Sequence, residues 1–275
     1  MNGFNHIVNL DIRQTLRSKW FWGYSILFGG FVALMFASGI TESQIIGFLG
    51  LGRLMITFIQ ICISILPIFV LISTVRSVVG DRESNVLEYM LSMPISLGGY
   101  YWGKLAGRFI TVFIPVFLAL LGAVAWGTFS NITVPWDVFI FYSLLLASMI
   151  ICFLGISIFI STLSRSQELA ISMAFITWLI LVAFLDLILL GVMLRFRVDA
   201  GVIISIAMFN PLQVFRTAAI ALFDPNLTVL GPASYYILDR VSQPVFVGFS
   251  IAYPTLLGSL LAWLGFRSFK RSDLI

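Results

Sequence analysis

The chain has 275 residues, of which 60% are hydrophobic and only 10% charged, with a formal net charge of +4. Its mean hydropathy of +1.06 lies far outside soluble globular usage, where apolar residues make up roughly half even when glycine is counted. A soluble domain is excluded, and the positive balance, with no soluble basic face to carry it, reads as inner-leaflet anchoring and not as nucleic-acid binding.

In chain order, Phe4, Val8, Ile12, Leu16 and Trp20 recur every four positions with Ile7 beside them, while Asn5, Asn9, Arg13 and Arg17 take other faces. That is the 3.6-residue period of an amphipathic helix, predicted over residues 4–19 along the membrane interface. Six continuous apolar runs then meet the length of about 20 residues needed to cross the hydrocarbon. They cover 20–39, 54–79, 109–129, 138–163, 169–194 and 245–266. Spanning strands would alternate over about ten residues, and these runs do not. The expected fold is an all-α integral membrane protein with six transmembrane helices, one domain over 1–275. The first run continues without a small-residue cleavage site, so it is expected to persist as a span.

Basic residues set the orientation. With the N-terminus inside, the inner segments hold Arg13, Arg17, Lys19, Arg76, Arg82, Lys104, Arg108, Arg165, Arg267, Lys270 and Arg271, and the outer ones only Arg53, Arg195, Arg197, Arg216 and Arg240. Both termini are expected in the cytoplasm of a cell whose inner membrane holds the chain.

Between the second and third spans lies the one dense polar island, residues 80–104, with Asp81, Arg82, Glu83, Glu88 and Lys104. Val86 with Met90 and Leu87 with Leu91 form an apolar stripe at helical spacing. Asp81 and Glu83 suit a first turn, where the helix dipole favours negative charge, and Pro94 disfavours helix at Met93. The pattern predicts a helix over 81–93 whose exposed face offers both acids and large apolar side chains, a surface for another protein. Gly98, Gly103 and Lys104 match the start of a phosphate-binding loop, but Leu105 stands where a magnesium-binding hydroxyl is required. Tyr100, Tyr101 and Trp102 beside Lys104 and Arg108 read instead as an interface belt at the start of the third span.

The fifth span carries Asp186 among leucines. A charge in hydrocarbon must face the bundle interior or a wet cavity, so Asp186 is either a tie between helices or part of a gate, with Arg216 or a polar group of another span as partner. The connection 196–244 is too long for a bare loop. Within it, 210–222 reads as a helix capped by Asn210 with Pro211 in its first turn, too short to span, and either partly inserted or on the outer surface.

Enzyme chemistry finds little to work with. His6 is the only histidine and sits at the membrane edge; Cys62 and Cys152 fall inside spans, which suits neither a disulfide framework nor zinc. The nine methionines are scattered singly as core residues would be, and no directly bound cofactor is expected. A proton-coupled carrier would want intramembrane acids and an internal repeat, and only Asp186 answers.

The phrases LRSKW and VGDRESNVLEYMLSMPISLGGYYWGK resemble the membrane subunits of type-2 ABC transporters of the exporter kind. That resemblance implies an elbow helix at the N-terminus and a coupling helix seated in a separate ATPase, with Asp81, Arg82, Glu83, Glu88, Met93 and Pro94 as coupling residues. It departs at Ser84 and Asn85, where the family usually has Gly-Thr, and at Leu97 and Gly98, which replace a common basic residue. It further implies a homodimer with two ATPase copies that use ATP and magnesium, a membrane-lipid environment and no nucleic acid. A short outer re-entrant helix in the family shapes the gate, which places Asn210, Pro211 and Arg216 with Asp186 as gate or pathway residues. LVAFLDLILLGVML and NPLQVFRTAAIALFDPN resemble the branch that supports assembly of the copper-sulfur centre of nitrous oxide reductase, which implies a periplasmic accessory protein. Export of a lipid, drug or polysaccharide is the alternative.

Overall fold

The computed structural model describes residues 3–37, 50–129, 136–184, 187–188, 191, 195, 200–223 and 242–272. Asp186 lies outside the described residues. All regular elements among those described are helical: α1 Gly3–Leu16, α2 Lys19–Ala37, α3 Gly50–Glu83, α4 Val86–Leu91, α5 Leu97–Phe129, α6 Trp136–Leu163, α7 Gln167–Leu179, α8 Ala200–Ala207, α9 Pro211–Phe223 and α10 Gln243–Ser272. A π-helical turn, Ile180–Phe184, extends α7. Among the described residues, four stretches are long and apolar enough to cross a membrane, Phe58–Glu83, Leu97–Gly122, Trp136–Leu163 and Gln243–Arg271. With no water in hydrocarbon to satisfy the backbone, helices are what such sequences must form.

Central α6 packs against α3, α5, α9 and α10. Its seam with α10 is made of small residues, because two helices approach closely only where side chains are missing. A Cβ on Gly155 would lie 2.0 Å from the Gly258 carbonyl oxygen, and one on Gly258 would lie 2.4 Å from the Ile151 oxygen. Ser148 Oγ donates to the Ile251 carbonyl at 2.7 Å and lies 3.0 Å from Thr255 Oγ1, so hydroxyls grip the seam beside the glycines. The main apolar core joins α2, α3, α5, α6, α7 and α9, and a second cluster around Ile7, Val78, Leu87, Tyr100, Tyr101 and Phe269 fills the end that carries the polar island.

Three features depart from the sequence reading. The helix expected over 81–93 is divided: Asp81, Arg82 and Glu83 form the last turn of α3, and only Val86–Leu91 is a separate helix. The break is at Asn85, whose φ of 56° is the one positive value at a non-glycine residue among those described, and asparagine tolerates that left-handed conformation better than most. Second, α5 starts at Leu97, three turns before the expected span, so Tyr100, Tyr101 and Lys104 are buried within the fold instead of forming an interface belt. Third, α10 continues past residue 266, and Phe269 is buried with its ring stacked on Tyr100 at 5.9 Å.

Candidate functional site: a buried charge cluster and an inserted helix

At the polar-island end, α1 lies in a groove of α5 cut by Gly99, Gly103 and Gly107, spaced by four and therefore on one helix face. A Cβ on Gly103 would meet Ile7 Cγ2 at 2.9 Å, and one on Gly107 would meet Asp11 Oδ2 at 2.9 Å. Asp11 is wholly buried, and its Oδ2 lies 3.2 Å from Arg108 Nε. Burial pushes the Asp11 carboxyl above the ordinary carboxylate range, outweighing the opposing pull of Arg108 and Lys104.

One turn before Arg108, Lys104 Nζ donates to the Ser77 carbonyl and pairs with Asp81 Oδ2, while Tyr100 Oη donates to the same carboxylate oxygen at 2.6 Å. The Lys104 ammonium also lies 5.1 Å from the centre of the Tyr100 ring. Lys104 is 4% exposed. Two carboxylates and two cations, drawn from α1, α3 and α5, thus meet in a site where Asp11 and Lys104 are buried and Asp81 and Arg108 are part-exposed.

The expected coupling residues separate into two groups. Asp81 points inward to Lys104; Arg82 is half-buried. Glu83 accepts a hydrogen bond from the Gln167 amide at 3.1 Å, which with Ser166 Oγ accepting from Leu169 N satisfies orphan donors at the start of α7. Glu88, Met93 and Pro94 are exposed, as are Val86 and Tyr89, the last at 66%. Leu87 is buried and Met90 packs on the same cluster, so α4 sits by its apolar side on the cluster around Ile7, Val78 and Tyr100 and leaves Glu88 and Tyr89 outward.

At the far end, α9 begins at Pro211 behind Asn210, whose Oδ1 accepts from Leu212 N at 3.0 Å. The same side chain donates through Nδ2 to the Leu181 carbonyl in the π-helical turn at 2.6 Å. Tyr253 Oη donates to the Phe209 carbonyl at 2.6 Å, and Gln243 Nε2 to the Ala221 carbonyl at 2.6 Å. Tyr253 stands ten residues along α10 from Gln243, about 15 Å at helical rise. The start of α9 therefore lies deep and its end near the head of α10. With Leu212, Val214, Phe215, Ala218 and Ala219 buried, α9 is inserted among α3, α6 and α10, and the irregular backbone before it is tolerated because protein groups satisfy it. Pro211 is buried at the first turn. Arg216 is half-buried, and Asp186, its expected partner, is outside the described residues.

Asn210→Leu should cost about 1.5 kcal/mol or more, combining a lost cap of ~1 kcal/mol with the lost hydrogen bond to the Leu181 carbonyl of about 0.5–1.5 kcal/mol. Asn210→Ser, which keeps the cap but cannot reach Leu181, should fall between. Thermal unfolding in detergent checks both; equal loss in the two variants would show that the Leu181 contact contributes nothing.

Sequence reasoning missed Asp11, Lys104 and Arg108 as a cluster. The available signal was an acid at a core position of α1, in register with Ile7 and Thr15, and a Gly-x-x-x-Gly-x-x-x-Gly face on α5.

Residues 6–274 match the family described as ABC-2 family transporter protein. Over 273 residues, 96% of this chain and 95% of its relative, the sequence is 20% identical to the probable ABC transporter permease protein NosY of Stutzerimonas stutzeri. It is 21% identical over 227 residues to the protein of the same name from Pseudomonas aeruginosa, covering 79% of this chain and 82% of the relative. The family match takes in the charge cluster, α4 and the inserted α9 together, on a multi-pass helical scaffold, and the chain belongs to the ABC-2 transporter family.

Proposed function

We propose that this chain is the permease subunit of an ATP-driven transporter, with six spans, both termini cytoplasmic, and a separate ATPase docked on residues 84–94. The observation that carries this reading is α4, a short helix held by Leu87 and Met90 that turns Val86, Glu88 and Tyr89 outward at the end of a membrane bundle, with Met93 exposed just beyond it. In this reading Glu88, Tyr89, Met93 and Pro94 touch the ATPase, while Asp81 faces Lys104 and Glu83 faces the start of α7, away from it. Two copies of the chain with two ATPase subunits complete the machine, ATP and magnesium belong to the ATPase, and α9 forms part of the outer gate. The relatives named NosY and the resemblance in 181–194 and 210–226 favour service to copper-sulfur centre assembly in nitrous oxide reductase, with a periplasmic partner.

The test is complementation in a nitrous-oxide-respiring host that lacks its own copy. The wild-type chain should co-purify with the ATPase and restore the reductase with its copper-sulfur absorption. Glu88→Lys combined with Tyr89→Asp should lose both while remaining in the membrane. Retained ATPase binding in that variant would refute the docking surface. An intact reductase in the uncomplemented host would leave export of a lipid, drug or polysaccharide as the reading.

A further inference from the structure

Three observations converge on the charge cluster. The first is energetic. Removing two charges from water costs more than their attraction returns unless geometry and hydrogen bonds are excellent, so apolar residues of similar size usually serve stability as well or better. The surroundings are apolar, with Ile7, Val78 and Leu87 all buried, and desolvation dominates at Asp11. Stability alone does not explain two ion pairs here.

The second is geometric. Ser77 and Asp81 are four residues apart and share one face of α3, and Lys104 holds both, one by its carbonyl and one by its carboxylate. A single ammonium on α5 therefore grips two successive turns of the helix that leads directly into the docking turn. Tyr100, one turn away on α5, holds Asp81 as well and stacks on Phe269 of α10. The third is continuity. Arg108 on the next turn of α5 pairs with Asp11 of α1, in the groove where Gly103 and Gly107 bring the two backbones together.

We propose that Lys104 with Asp81, followed by Arg108 with Asp11, are positioning residues that pass a displacement of the docking turn from α3 to α5 and then to α1. The inference rests on the ATPase-docking reading above and adds the route by which docking is felt. Lys104 makes α3 and α5 move together; Arg108 makes α1 follow. The polar bonds are directional, whereas the neighbouring apolar contacts allow helices to slide.

The experiment uses the full chain with its ATPase subunit in phosphatidylethanolamine–phosphatidylglycerol vesicles, and reads amide hydrogen exchange with and without ATP and magnesium. In the wild type, ATP should change exchange in residues 84–94, 97–108 and 3–16. In Lys104→Met with Asp81→Asn, which removes both charges while the amide keeps an acceptor for Tyr100, the change should persist in 84–94 and vanish from 97–108 and 3–16. In Asp11→Asn with Arg108→Gln it should reach 97–108 and stop before 3–16. Lys104→Arg, which retains the charge, should keep the wild-type response.

The neutral pairs should still co-purify with the ATPase and fold, with thermal midpoints lowered less than in Lys104→Met alone. An undiminished response at 3–16 in both neutral pairs overturns the proposal, as does loss of ATPase binding in them, which would make the cluster a scaffold for the docking face. Failure of the wild-type chain to bind the ATPase would overturn the docking reading and this inference with it.

Discussion

Gly155→Val should prevent the helical bundle from assembling. A Cβ at that position falls 2.0 Å from the Gly258 carbonyl oxygen and 2.6 Å from its carbonyl carbon. Both are backbone atoms of a 30-residue helix, so no side chain can rotate away. The helices must separate, which releases the Ser148 hydroxyl from the Ile251 carbonyl and opens the seam toward Gly265, where Tyr101 Oη would lie 2.5 Å from an added Cβ. Overpacking in cores that can yield costs about 1–3 kcal/mol; a backbone clash across a central seam should exceed that range. Gly258→Val should behave alike, since its Cβ would meet the Ile151 oxygen at 2.4 Å. Gly29→Ala is the control, with nothing within 4 Å of the added carbon and a gain in helix propensity of up to ~1 kcal/mol. Thermal unfolding and size exclusion in detergent separate these outcomes, and a Gly155→Val protein with the wild-type midpoint would show that the two helices do not touch as described.

The legibility of this chain follows the range of the forces involved. Apolar length is a property of each segment, so α3, α6 and α10 lie where hydropathy alone puts helices, with ends that differ by a few residues. The start of α9 was legible for the same reason: Asn210 and Pro211 are local signals, and the cap is a bond to Leu212, two residues away. Asp81 and Glu83 misled because helical periodicity does not distinguish the last turn of one helix from the first turn of the next. The boundary depends on one left-handed residue, Asn85, and a non-glycine residue announces that conformation weakly. Lys104 and Arg108 were misread because a cation beside aromatic rings usually marks a membrane interface. Their partners are distant in sequence, and only tertiary packing of α1 on α5 shows that Asp11 is within 3.2 Å of Arg108. Of the glycines that invited comparison with a phosphate loop, Gly103 serves that packing, and its spacing of four with Gly99 and Gly107 is the signal that composition obscured.

Lys104→Met alone should damage the protein more than Lys104→Met together with Asp81→Asn. In the single variant the Asp81 carboxylate keeps its bond from Tyr100 but loses the cation that neutralised it, while Asp11 loses a nearby positive charge that lowers the cost of its own ionisation. Breaking a buried pair from one side costs about 3–5 kcal/mol. Asp81 retains 22% side-chain exposure, so water can reach it and the loss should fall at the low end of that range. Against a total stability of about 5–15 kcal/mol, that is enough to lower the folded yield in membranes. The double variant leaves no lone charge, and amide and thioether replace ion with ion-free contacts of similar size. A double-mutant cycle on thermal unfolding should therefore give a coupling energy between Lys104 and Asp81 of roughly 0.5–3 kcal/mol, as for residues in one network. Additivity of the two single losses to within about 0.5 kcal/mol would mean that the ammonium and the carboxylate do not act as a pair.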